Sequence, residues 1–134
     1  AGQRAAAESI IQSVGTSIWV SDEELIDTVT AVSGSGPAYF FYLMEAMIEA
    51  GVAGGLEPSA ARALVLQTAL GASRLALSSD EPPAELRRRV TSPGGTTEAA
   101  ISSLTEDQCS ESIIRAVDAA RLRSIELARS QGEP

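Results

Sequence analysis

Histidine and lysine are absent from the 134 residues, and cysteine occurs once, at Cys109. Without histidine there is no His-based metal site, no Ser–His–Asp triad and no side chain that ordinarily titrates near neutrality. A single cysteine excludes an internal disulfide and suits a reducing compartment, so a cytoplasmic location is expected. Ten basic residues face eighteen acidic ones, and the net charge of −8 opposes non-specific nucleic-acid binding. No apolar run reaches the length of a membrane span, and no signal pattern opens the chain. We therefore expect no nucleic-acid and no membrane partner. Chemistry is left to hydroxyls, backbone amides, carboxylates or a bound cofactor.

What is present reads as a soluble globular chain, 44% hydrophobic and 21% charged. Its length fits one domain, or one domain with a remnant of another, and can bury only a small core unless copies associate. The opening GQRAAAESIIQSVG reads as an Ala-rich helix stopped at Gly15. Thr16–Val20 (TSIWV) has strand-forming residues, but a lone strand must pair with something outside this stretch. Ser21 and Glu24 have capping-box spacing and introduce a helix carrying Leu25, Ile26, Val29 and Val32. From there every segment reads as helix. Pro37 opens one that is apolar almost all round apart from Glu45 and Glu49. One small protomer offers little cover for it, so we expect it to lie between two subunits. Pro58 opens a long helix that Asp80–Pro83 ends, and a short helix over 84–90 follows. The last helix is expected from about Glu106 to Arg129, with Thr105 and Gln108 as a second capping box. Ile113, Ile114, Val117, Ala120, Leu127 and Ala128 would be its inner stripe, with Leu122 pointing the other way.

The stretch Thr91-Ser-Pro-Gly-Gly-Thr-Thr97 concentrates glycines and hydroxyls before a helix. Two glycines can turn successive N–H groups toward one point, and a helix beginning near Thr96 adds unpaired first-turn amides. It is either an anion seat or a capped turn. Gly34-Ser-Gly36 is a poor phosphate loop, because Tyr39 stands where a third glycine belongs and no strand precedes it. Arg87–Arg89 suit a helix C-terminus, with contact to a cofactor phosphate as the sharper alternative. Glu45 and Glu49 read as a polar stripe, or as partners for arginines such as Arg62 or Arg74. Cys109 has no activating partner in the sequence.

Four stretches together, AVSGSGPAYFF (31–41), EAMIEAGVAGGL (45–56), QTALGA (67–72) and LRRRVTSPGGTTEAAISSL (86–104), resemble the C-terminal half of pyrroline-5-carboxylate reductases. The resemblance runs the length of the chain. It implies an all-α fold: an interlocked helical dimerisation domain over 31–134, preceded over 1–30 by a remnant helix and strand of an α/β Rossmann domain. It implies reduction of 1-pyrroline-5-carboxylate to L-proline with NADPH or NADH, by a homodimer or a higher oligomer. The G-x-G-x-x-G segment that binds the pyrophosphate in such domains is missing here, so the chain alone is expected to be inactive. By the same resemblance Ser92, Gly94, Gly95, Thr96 and Thr97 hold the substrate carboxylate, and the Thr97 hydroxyl meets the ring nitrogen as the catalytic contact. Arg89 and Val90 would lie near the cofactor, at a place where relatives often carry Asn instead of Arg89. The alternative is a non-catalytic helical oligomerisation or anion-binding module from a shortened paralogue. Hydroxy-acid dehydrogenases of similar plan generally rely on a lysine, which this chain lacks.

Overall fold

A computed structural model describes residues 2–132, and within them the chain is helical, with no strand. The helices are α1 (Gly2–Gln12), α2 (Leu25–Val29), α3 (Gly36–Ala53), α4 (Pro58–Leu77), α5 (Pro83–Arg89), α6 (Thr96–Glu106) and α7 (Cys109–Gly132). A π-helical turn, Thr30–Gly34, joins α2 to α3. The all-α expectation holds. The Thr16–Val20 segment forms no strand, because it has no neighbour to complete its backbone hydrogen bonds.

Proline does much of the punctuation. Pro37, Pro58 and Pro83 each fall in the first turn of a helix, where a missing N–H costs nothing. The expected capping boxes do not form. Ser21 caps nothing; instead the Asp22 carboxylate accepts from the Glu24 N–H at 3.2 Å, and α2 starts at Leu25. At the other end α6 runs on through Thr105, whose hydroxyl donates to the Ile101 carbonyl at 2.7 Å. The chain then reverses through Gln108, at φ 54°, and α7 begins at Cys109.

The π-turn is closed by the Ser35 N–H donating to the Thr30 carbonyl at 2.8 Å. Tyr39, one turn into α3, sends its hydroxyl back to the Ala31 carbonyl at 3.1 Å. Gly34-Ser-Gly36 is thus the exit from this turn. Helix α7 packs across the turn and α2, and there the Ser124 hydroxyl donates to the Asp27 carboxylate at 2.6 Å. Helices α3 and α4 form a hairpin through Gly55, at φ +96°. They pack closely at Gly51, where a Cβ would lie 3.3 Å from the Cβ of Ala61.

The core of this single chain is slight: Ala31, Ala61 and Val65 are its buried apolar residues among those described. The outward faces hold far more. On α3, Phe41 is 59% exposed and Tyr42 77%. An open apolar groove of about 460 Å³ runs between α3 and α4, lined by Phe40, Leu43, Met44, Leu66 and Leu70. The inner stripe expected for α7 is partly reversed. Ile113 and Ile114 are 54% and 65% exposed, while Val117, Ala120 and Ile125 are better covered. The surface totals 10830 Å² for a 13.9 kDa chain, where a compact monomer of that mass exposes about 6,700 Å². The all-round apolarity of α3 is therefore left unmet by its own chain. No helix among the described residues is long and apolar enough to cross a membrane.

Candidate functional site

The segment Thr91–Gly95 bridges the end of α5 and the start of α6. Its anchor on the α5 side is local: the Thr91 hydroxyl donates to the Arg87 carbonyl at 2.7 Å. Ser92-Pro-Gly-Gly95 is then a β-turn, with the Gly95 N–H donating to the Ser92 carbonyl at 3.0 Å. Proline in second place and a positive-φ residue in third, Gly94 at φ +70°, are the requirements of a type II turn. Gly95 lies at φ −88°, ψ 172°, which any residue adopts. It is glycine for another reason: a Cβ there would stand 3.0 Å from the Ser92 carbonyl oxygen.

Helix α6 starts directly after the turn, with Gly95 in the capping position and no side chain bonded there. The Ala99 N–H donates to the Gly95 carbonyl at 3.2 Å. Among the described residues no acceptor meets the N–H groups of Thr96 and Thr97, nor the hydroxyls of Ser92, Thr96 and Thr97. The Glu98 N–H is open too, so three first-turn amides lie unfilled at the end of α6 where the helix dipole is positive, with three hydroxyls on the same loop and first turn. The Gly94 N–H is not free: it donates to a Glu98 carboxylate oxygen at 2.7 Å. The loop therefore holds a carboxylate already, and that carboxylate belongs to the chain. By position alone Glu98 is an acid in the first turn of α6, where it favours the helix dipole. Its reach to Gly94 has the logic of a capping box, but the Ser/Thr that usually signals one is replaced by glycine.

Beside the loop, the α5 arginines are engaged with acids. Arg88 donates to the Glu85 carboxylate, through Nε at 2.9 Å and through Nη2, and Arg89 Nη1 lies 2.7 Å from Glu81. The Arg88 hydrogen bond holds the Glu85 carboxyl below the usual glutamate range. The bonds to Glu85 and Glu81 in turn raise Arg88 and Arg89. Arg87 lines an open groove with Ile101, Leu104 and Ile113. Val90 ends α5 with its N–H on the Arg87 carbonyl at 3.2 Å. Glu45 and Glu49 are exposed on α3, and among the described residues neither they nor Arg62 and Arg74 form an ion pair. No group of three metal-ligating side chains occurs among those residues.

A family model described as pyrroline-5-carboxylate reductase dimerisation matches residues 23–127. The chain is 54% identical over 133 residues to a pyrroline-5-carboxylate reductase of Pseudomonas aeruginosa, covering 99% of this chain and 49% of that protein. It is 45% identical over 127 residues to one of Synechocystis, covering 95% and 47%. Among solved structures, a pyrroline-5-carboxylate reductase of Coxiella burnetii superimposes with a TM-score of 0.90 at 48% identity, over 94% of this chain and 47% of that one. The Plasmodium falciparum enzyme, solved with NADP bound, gives 0.84 at 34% identity, over 92% and 47%. The chain spans about half the length of the relatives it matches.

Proposed function

Because the chain belongs to the pyrroline-5-carboxylate reductase family, we propose that it supplies the dimerising and substrate-holding part of an enzyme reducing 1-pyrroline-5-carboxylate to L-proline with NADPH or NADH. Residues 1–30 are then the end of a dinucleotide-binding domain and the connection onward, and 31–134 the helical domain. The single thiol suits a cytoplasmic setting.

The observation that carries the site is the turn Ser92–Gly95 running straight into α6 with the Thr96 and Thr97 amides unfilled. A substrate carboxylate gains charge-assisted hydrogen bonds there, each worth about 1.5–3 kcal/mol. The Ser92 and Thr96 hydroxyls can add to them. Thr97 is the more covered of the two threonines. Its hydroxyl is assigned to the ring nitrogen, accepting the N–H of the protonated imine and so fixing the ring against the loop. A protonated imine carbon is already electrophilic, which leaves position as the main demand on the protein and makes the lack of histidine unsurprising. The dinucleotide does not fit this chain's residues alone. No strand–glycine loop–helix unit occurs among the described residues, and Arg89, expected beside the cofactor, is paired with Glu81. The contribution read here is therefore on the substrate side.

Association completes the picture. The apolar faces of α3 and α4 match a second copy of the same surface, and enclosing the loop between protomers would strip water from the bound acid. The test is kinetic, on the full-length reductase. Thr97→Ala should lower kcat/KM by roughly ten- to a hundredfold, the worth of one hydrogen bond to a charged group, with Thr97→Ser recovering most of it. Unchanged kcat/KM in Thr97→Ala removes Thr97 from the site.

A further inference from the structure

We propose that Glu98 is a built-in competitor for the ligand carboxylate, seated on the Gly94 amide until a bound acid displaces it; this rests on the reading of the loop as the substrate seat. The starting point is the 2.7 Å contact between the Gly94 N–H and Glu98 Oε2. Ionised acceptors make the shorter and stronger hydrogen bonds of this kind. A ligand acid that reaches the open Thr96 and Thr97 amides enters the same first turn of α6, beside that negative charge. Arg88 and Arg89 are bound to Glu85 and Glu81 and do not pair with it.

Glu98 is exposed, so its side chain can leave for water without opening the fold. Leaving exposes a further amide, that of Gly94, which the positive-φ turn holds next to the helix start. The incoming carboxylate then replaces the internal one like for like. Before that exchange the Gly94 donor of the empty loop is already satisfied. An acid ligand therefore binds more weakly than the number of amides suggests, and a ligand without a carboxylate cannot drive the exchange. The rival account is a permanent helix cap, and it predicts the opposite response to truncation.

The experiment compares the full-length reductase with its Glu98→Ala and Glu98→Gln forms, measuring KM for 1-pyrroline-5-carboxylate and inhibition by L-proline and by L-prolinamide. Competition predicts that KM and the L-proline inhibition constant fall about three- to tenfold in Glu98→Ala, the scale of one net hydrogen bond. Glu98→Gln should fall less, because it loses the charge but keeps an acceptor. Inhibition by L-prolinamide, which has no carboxylate, should not follow. A KM that rises in Glu98→Ala and is restored in Glu98→Gln establishes a cap and overturns the proposal, as does a KM unchanged in both. A wild type that neither reduces the imine nor binds L-proline overturns the substrate-seat reading, and that failure is visible without any variant.

Discussion

The surplus of surface makes a quantitative prediction about stability. The chain exposes 10830 Å², about 4,000 Å² more than a compact protein of its mass. Part of the surplus is α1 and the segment after it, and the rest lies on α3, α4 and the outer side of α7. A core of Ala31, Ala61 and Val65 is too small to offset the conformational entropy of seven helices. Folding and pairing should therefore be one transition, from a native dimer to two unfolded chains. Each tenfold rise in concentration then stabilises the dimer by about 1.4 kcal/mol. Two chains of 134 residues unfold with an entropy of roughly 0.56 kcal/mol/K, so the midpoint should climb by about 2–3 °C per decade of concentration. Calorimetry at about 1, 10 and 100 μM, alongside light scattering, measures this directly. Phe40→Asp, in the α3–α4 groove, should shift the dissociation midpoint. It forfeits about 1.5–3 kcal/mol of burial in each chain, or two to four decades of concentration per dimer. A midpoint that ignores concentration, together with a stable species of 13.9 kDa, would refute the reasoning.

Other expectations are more local. Gly94→Ala meets open space but must hold φ +70°; it should cost about 1–2 kcal/mol in denaturant unfolding and weaken L-proline binding as the turn relaxes. Gly51→Val drives branched methyls into the α3–α4 contact, where even a Cβ stands 3.3 Å from Ala61. A loss of about 1–3 kcal/mol is expected, and wild-type stability there would mean that the hairpin can spread freely. The Glu85 carboxyl is held below the ordinary range by Arg88. Its depressed folded-state pKa favours the fold above the unfolded glutamate value, and that benefit fades as pH falls through the folded one. Arg88 is exposed and Glu85 only half-covered, so solvent screens the pair, and the effect should show as a low carboxyl titration midpoint by NMR that Arg88→Ala restores, with little change in melting temperature.

Much of the architecture was legible because local chemistry and tertiary outcome agree. Pro37 and Pro58 open helices wherever they end up packing, and the 86–104 stretch carries the turn in its own glycines. Three features were hidden for distinct reasons. The π-turn at Thr30–Gly34 depends on one hydrogen-bond register shift and on the Tyr39 hydroxyl reaching Ala31, and no residue type announces either. The α6–α7 boundary moved because Gln108 takes a positive φ without being glycine, so the reversal left no punctuation to read. Ile113 and Ile114 looked inward by periodicity, yet periodicity identifies an apolar face and not which molecule covers it. The same limit applies to Thr16–Val20, whose strand-forming residues make no strand among the described residues. At the candidate site the residues could be read, but the occupation of the Gly94 amide by Glu98 could not, because it rests on a side-chain conformation.

The bond from Ser124 to Asp27 joins positions 97 apart in the chain. On a translating ribosome adding about 5–20 residues per second, the π-turn therefore waits roughly 5–20 seconds for the helix that roofs it. During that interval Ala31 and its neighbours have no lid, and a chain cut short before Ser124 would leave them so permanently. Truncations that remove Ser124 should thus behave as complete losses and not as slight trims.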